Sequence, residues 1–352
     1  MSTLILPVAG KSSRFPGMRP KWLLTMPDGA LMVEKAISQL NLEDFQRIVL
    51  VCLKEHLDEY ASEANLLEIF TISGYQNIEL CILDKPTKSQ SETVVEAIRK
   101  SKISGPIFIK DCDNTFAANF HGGNEISILQ LSDMGLIDAK NKSYVTIDPL
   151  GNVTNIVEKQ VISNYFCCGG YGFKSSEQFI QAYDSISQEG EIYVSHVIFK
   201  MILDGAGFSI ERAQKYIDWG NLEEYRRYCK SFITIFCDID GVMFKNGSKF
   251  GKTGWKTEPI PENLKKLSQL QREGKLYLVI TSSRPHGEID YIAERLSEFD
   301  LVADNFLMGL PHCRRVLIND YSSTNPFPSA LSINIERDTQ GLSKMLDHLL
   351  EQ

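Results

Sequence analysis

Leu4-Ile5-Leu6-Pro7-Val8-Ala9-Gly10-Lys11-Ser12-Ser13-Arg14-Phe15 is a short apolar run that breaks into a glycine-containing, basic loop, and Arg19-Pro20-Lys21-Trp22-Leu23-Leu24 follows within a few residues. A glycine at a strand end lets backbone N–H groups come close to a phosphate. Lys11 and Arg14 place positive charge on the same loop. Taken alone, the loop reads equally as a plain turn or as a phosphate site. Further apolar runs follow at Arg47–Leu53, Ile78–Leu83 and Ile107–Lys110, with helical stretches at Met32–Leu40, Leu57–Ile69 and Glu92–Lys100 between them. This alternation predicts an α/β fold with a largely parallel sheet and helices on its faces.

A second strand-led unit begins near Phe232 with FITIFCDIDGV. Helix Glu262–Glu273, strand Lys275–Ile280, helix Glu288–Leu296, strand Arg315–Ile318 and helix Leu342–Leu350 are expected after it. The polar stretch Asn221–Ser231 reads as the terminal helix of the first domain. The boundary is therefore expected near residue 230, giving domains 1–230 and 231–352.

The composition fits two ordinary cores. The 352 residues are 43% hydrophobic and 23% charged, which is globular rather than disordered. The net charge of −8 argues against nucleic acid or an anionic membrane as partner. The longest apolar run, Ile48 to Leu53, is too short to span a bilayer. MSTLILPVAG has no basic segment and no small-residue cleavage site, so no signal peptide is expected, and the location expected is cytoplasmic. None of the eight cysteines falls in a CxxC pair, and reduced, buried thiols are expected. Trp22, Trp219 and Trp255 read as packing residues, His121, His196 and His286 as surface or cap residues, and Thr324–Pro328 as a rigid loop.

LPVAGKSSRF followed by RPKWLL resembles the opening of the sugar-phosphate nucleotidyltransferases, which have a GT-A-like, mixed-sheet fold. The resemblance implies that Gly10, Lys11 and Arg14 hold the phosphates of a nucleoside triphosphate. Lys21 would neutralise charge on the α-phosphate as pyrophosphate leaves. Ala9, Ser12 and Ser13 belong to the same implied nucleotide loop. Lys88 and Gln90 join them from Lys85–Thr93, which stands where many members carry a base-recognition segment. The Ser-Ser-Arg loop form is similar to that of cytidylyltransferases and favours CTP. Asp113, with Asp111 as a second choice, occupies the place of the family's metal-binding aspartate, and Asp218 in Tyr216–Gly220 that of a second one. Glu158, Lys159, Asn164 and Gly170 are the implied acceptor contacts. The implied cofactor is Mg²⁺, which suits carboxylates beside phosphates. The implied partners are an NTP and a small phosphorylated sugar or polyol, and a homo-oligomer is possible.

Asp238-Ile239-Asp240-Gly241-Val242 ends an apolar strand with two carboxylates one residue apart. That spacing suits a nucleophile and an acid–base partner, with Mg²⁺ bringing the anionic nucleophile to an anionic phosphate. The segment resembles the first motif of the haloacid-dehalogenase-like (HAD) phosphatases. Thr281-Ser282 matches the family's phosphate-binding motif and Asn319-Asp320 its metal-binding acidic motif, so Asp238, Asp240 and Asp320 are the implied metal ligands. The family's usual lysine is replaced by Arg314-Arg315, which binds phosphate as a fork rather than as a point charge. The short gap between Asp240 and Thr281 implies a Rossmann-like HAD domain without a large cap. Together the two resemblances imply a bifunctional enzyme, of the kind expected in capsule or surface glycan precursor synthesis. A catalytically silent second domain and a non-catalytic nucleotide-binding regulator are the alternatives.

Overall fold

The computed structural model describes residues 2–133, 141–187, 190–319 and 330–351. The chain divides into two compact units, Met1–Tyr225 and Arg226–Gln352.

In the first unit the strands are β1 (Thr3–Pro7), β2 (Arg47–Leu53), β3 (Ile78–Leu83), β4 (Ile107–Lys110), β5 (Asn114–Ala117), β6 (Glu125–Gln130), β7 (Ser143–Ile147), β8 (Val153–Glu158), β9 (Tyr165–Phe173), β10 (Ser209–Arg212) and β11 (Gln214–Asp218). The helices are α1 (Met32–Ile37), α2 (Lys54–Tyr60), α3 (Glu63–Ile72), α4 (Gln90–Lys100), α5 (Ser176–Asp184), α6 (Val194–Leu203) and α7 (Leu222–Lys230), the last spanning the division. The main sheet runs β10-β6-β9-β4-β1-β2-β3, with β7 and β8 added beside β9. Strands β1 to β4 pair in parallel, whereas β9 runs antiparallel to both β4 and β6, so the sheet is mixed.

The continuous apolar runs of β1 and β2 follow from burial on both faces. Ile5, Val49 and Val51 face one core with Val94 and Val95 of α4 and Val197 of α6. Leu4, Leu6, Ile48 and Leu50 alternate to the opposite core with Val33 of α1 and Phe70 of α3. The helix expected at Leu57–Ile69 is instead two helices. Ala61 is extended, and the Ser62 hydroxyl accepts from Asn65 N–H and starts α3 afresh. Trp22 and Trp219 are buried.

The second unit holds β12 (Ile233–Asp238), α8 (Pro261–Arg272), β13 (Leu276–Thr281), α9 (Ile289–Ser297), β14 (Asn305–Leu307) and α10 (Leu342–Glu351). Its parallel sheet has the order β12-β13-β14. One core gathers Cys237, Leu278 and Ile280 with Leu264 and Leu267 of α8, Ile292 of α9 and Leu346 of α10. Between Asp240 and Thr281 the described residues carry one helix, α8.

The strand expected at Arg315–Ile318 does not form. Asn305–Leu307 takes the place beside β13, and Val316, Leu317 and Ile318 are exposed. Arg315 instead sends its guanidinium to the C-terminal ends of β12 and β13. Asp320 and the Thr324–Pro328 loop lie outside the described residues. All eight cysteines are free thiols, six of them buried. Among the described residues, no helix is long and apolar enough to cross a membrane.

Candidate active site

The basic loop after β1 is fastened to Lys21 through one residue in an unusual conformation. Ser12 has a φ of 49°, in the left-handed region that side chains with a Cβ seldom enter. The turn lets its hydroxyl accept from Lys21 N–H at 3.0 Å. Lys21 opens a short 3-10 turn whose next two residues, Trp22 and Leu23, are buried. Trp22 Nε1–H donates to His56 Nδ1 at 3.2 Å beneath the turn. Anchored in this way, the Lys21 ammonium projects to Asp113 Oδ2 at 2.6 Å, and Arg14 reaches the same oxygen at 3.3 Å.

Asp113 stands in the turn between β4 and β5. Lys110 is fully buried under that turn and donates to Asn114 Oδ1 at 2.7 Å and to Asn114 O at 2.9 Å. Its ammonium also lies over the Phe116 ring, and burial lowers its pKa. On the other side, Asp111 N–H donates to Gly169 O at 2.8 Å. Gly169 has a φ of 91°, and a Cβ there would sit 2.6 Å from Asp111 Oδ2 and 2.8 Å from Asn114 Nδ2. Only glycine lets β9 pass this close to the acidic turn.

The ladder between β5 and β11 brings in the second carboxylate. Asp218 pairs with Asn114, and Trp219 N–H donates to Asp113 O at 2.8 Å. Asp218 Oδ1 accepts from Gly220 N–H at 2.9 Å, while its Oδ2 carries the Lys142 ammonium. A Cβ on Gly220 would lie 3.0 Å from Asp218 Oδ1, 3.4 Å from Arg14 Nη1 and 3.6 Å from Asp113 Oδ2, so the three charged groups converge around it. Burial works to raise the Asp113 pKa, but the Lys21 and Arg14 cations outweigh it and hold the carboxyl well below the usual range. Burial, and then the Asp113 charge, push Asp111 upward.

Of the remaining residues implied by the resemblance, Gln90 joins this centre through Asp111, and the others make contacts of their own. Gln90, at the start of α4, donates to Asp111 Oδ1, and its neighbour Ser89 caps the helix. Ala9 is buried, whereas Gly10, Lys11, Ser13 and Lys88 are exposed. A Cβ at Gly10 would meet no protein atom within 4 Å. Glu158 is tied to Ser143 and Ser195 hydroxyls. Lys159 contacts the Tyr193 hydroxyl at 2.6 Å and lies over its ring. Asn164 bonds to Leu131 and Ser132. Gly170 is packed against Ser127, Phe116 and Phe108, where a side chain would collide.

The second unit has its own cluster. Asp238 ends β12 beside Thr281, which ends β13. Arg315 Nη1 lies 3.1 Å from Asp238 Oδ1 and 3.2 Å from Thr281 Oγ1, bridging the two. Asp240 is held differently. Arg284, which is fully buried, grips both of its oxygens, Nε to Oδ2 at 3.0 Å and Nη2 to Oδ1 at 2.7 Å. The third nitrogen of the fork donates to Trp255 O at 2.8 Å, and the guanidinium lies over the Trp255 ring. Ser282 Oγ accepts from Arg284 N–H at 3.1 Å, and Arg314 is exposed.

Sequence reasoning missed Lys142, Gly220 and Arg284. Lys142 belongs to no motif, and Gly220 closes the Tyr216–Gly220 segment without a role of its own there. Arg284 stands three residues after Thr281, and that spacing is a usable signal.

No protein-family model matches the sequence, and no curated protein matches it either. Solved structures do. A nucleoside-diphosphate-sugar pyrophosphorylase from Vibrio cholerae matches at 21% identity and a TM-score of 0.55, over 64% of this chain and 99% of that one. An inositol-1-phosphate CTP transferase from T. maritima matches at 18% identity and 0.51, over 63% and 90%. A UDP-glucose pyrophosphorylase complexed with UDP-glucose matches at 15% identity and 0.52, over 66% and 98%. Over about two thirds of its length, the chain has the fold of these pyrophosphorylases and of the CTP transferase.

Proposed function

We propose that the first unit transfers a nucleotidyl group from an NTP, with CTP favoured, to a phosphorylated sugar, polyol or similar small molecule. The carrying observation is Asp113 held between Lys21 and Arg14, with Asp218 across Gly220. An oxygen of the acceptor phosphate forms a bond to the α-phosphorus, and the bond to the bridging oxygen breaks, releasing pyrophosphate. In this reading Lys21 and Arg14 meet charge building on the transferring phosphate. No protein nucleophile is needed, because positioning and charge stabilisation supply the rate.

Asp113 and Asp218 fit Mg²⁺, a hard cation that takes one or two carboxylates and fills its shell with phosphate oxygens and water. When bound, Mg²⁺ would supply neutralisation of the triphosphate. The test is a screen of four NTPs against phosphorylated sugars and polyols, read as pyrophosphate release. Wild-type release that persists unchanged in Asp113→Ala would overturn the site.

For the second unit we propose phosphomonoester hydrolysis. Asp238 attacks phosphorus to form an aspartyl-phosphate, the alcohol leaves, and water then releases phosphate. Thr281 and Arg315 support this reading, since Arg315 spans nucleophile and threonine where the family's lysine would act. One observation favours the alternative of a silent domain: Arg284 holds both oxygens of Asp240, the expected acid–base group. Phosphate release from a panel of phosphoesters decides between them, because equal release by wild type and Asp238→Asn leaves only the silent domain. The place of both steps in surface glycan precursor synthesis rests on the resemblance alone.

A further inference from the structure

Each carboxylate on which the first unit's metal would rest already carries a lysine. Lys21 lies on Asp113, and Lys142 lies on Asp218 Oδ2. The Lys142 ammonium also touches the Tyr216 hydroxyl at 2.8 Å and lies 5.4 Å from the centre of its ring. Asp218 Oδ1 accepts from Gly220 N–H and Oδ2 holds the Lys142 ammonium, so both oxygens already carry a donor. An ammonium and a divalent ion cannot both sit against Oδ2 without strong like-charge repulsion. A lysine is a compact charge on a flexible stem, so it can leave one anion for another while the backbone stays in place.

We propose that Lys142 is an exchangeable cation: it neutralises Asp218 in the empty site, yields it to a divalent metal, and then binds the phosphate of the acceptor. The identity of the second anion rests on the nucleotidyl-transfer reading, whereas the exchange on Asp218 does not. One consequence is coupling. Metal affinity is low in the absence of phosphate and rises when an anion is present to receive the displaced ammonium.

The test measures Mn²⁺ binding to the full chain without nucleotide, read from the electron paramagnetic resonance of free Mn²⁺. Lys142→Met is expected to bind Mn²⁺ on the order of tenfold more tightly than wild type. Lys142→Arg, which keeps the charge, returns binding toward the wild-type value, and Asp218→Asn in the Lys142→Met background removes the gain. In the transfer assay Lys142→Met raises the acceptor KM more than it lowers kcat. Mn²⁺ binding by folded Lys142→Met that is no tighter than wild type overturns the proposal, since a purely structural ion pair predicts equal or weaker binding. Should Lys142→Met fail to fold, Tyr216→Phe removes one hydrogen bond that holds the ammonium. It is expected to tighten Mn²⁺ binding about threefold, and no tightening overturns the proposal. If wild type transfers no nucleotide to any acceptor, the reading of the unit's function fails while the Mn²⁺ comparison keeps its meaning.

Discussion

The two units solve one electrostatic problem with different cations. Each gathers two aspartates at strand ends, and each covers them with positive charge. In the first unit the cations are Lys21, with its side chain 25% exposed, and the exposed Arg14 on Asp113, and Lys142 on Asp218. In the second unit they are arginines, and Arg284 is fully buried with its fork spent on Asp240 and Trp255 O. A lysine forms a pair that solvent and incoming phosphate can reach. A buried, bidentate guanidinium is pre-organised and has no other place to go. The contrast separates a site built for exchange of its cations from one whose second carboxylate is fixed in orientation.

The largest expected effect breaks the comparison by function. Asp113→Ala should lower nucleotidyl transfer on the order of a thousandfold, with phosphate release by the second unit unchanged. A parallel fall in both activities would mean the two sites are not independent. The next effect is on stability. Arg284→Met leaves the Asp240 carboxylate partly buried without its fork, and should destabilise the second unit by about 3–5 kcal/mol in chemical denaturation. Lys21→Met should cost only about 1 kcal/mol, because Arg14 stays on Asp113 and the pair is partly exposed. Equal losses in the two variants would remove the distinction between fixed and exchangeable pairs.

Gly169→Ala should cost about 1–3 kcal/mol, since it combines a left-handed backbone with a Cβ pressed on Asp111 and Asn114. Its transfer activity should fall with the displaced turn, and wild-type kinetics in this variant would sever β9 from the acidic site. The smallest effect is a pH dependence beneath Lys21. Burial holds the His56 pKa below its ordinary 6.5, against the smaller raising effect of Glu55 and Glu59. The neutral ring accepts from Trp22, so its contribution to stability is complete above pH 6.5 and is lost as pH falls toward the lower folded value. A thermal melt series from pH 7.5 to 5 should show a decline that is shallower in His56→Gln. Identical slopes would show that the Trp22–His56 contact does not sense protons.

Much of the first unit was legible because its signals are local. Leu4–Leu6 and Ile48–Leu53 are apolar at every position, which only burial on both faces explains, and the basic loop, Lys21 and Asp113 each close or follow such a strand. The misread elements were those set by competition. Leu57–Ile69 has an unbroken apolar pattern, yet the Ser62 hydroxyl begins a new helix. Val316–Ile318 has strand composition, yet the ladder beside β13 is filled by Asn305–Leu307, a run with a weaker pattern.

The amino-acid sequence by itself determined the alternation of strands and helices and which carboxylates stand at strand ends, because both follow from side-chain periodicity and from glycine and charge at the turns. The tertiary structure alone decided which cation meets which carboxylate. Lys142 lies 76 residues from Asp218 and Arg284 lies 44 from Asp240. Contacts over such separations are fixed by strand pairing and by the need to neutralise buried charge, and neither leaves a mark in the local sequence.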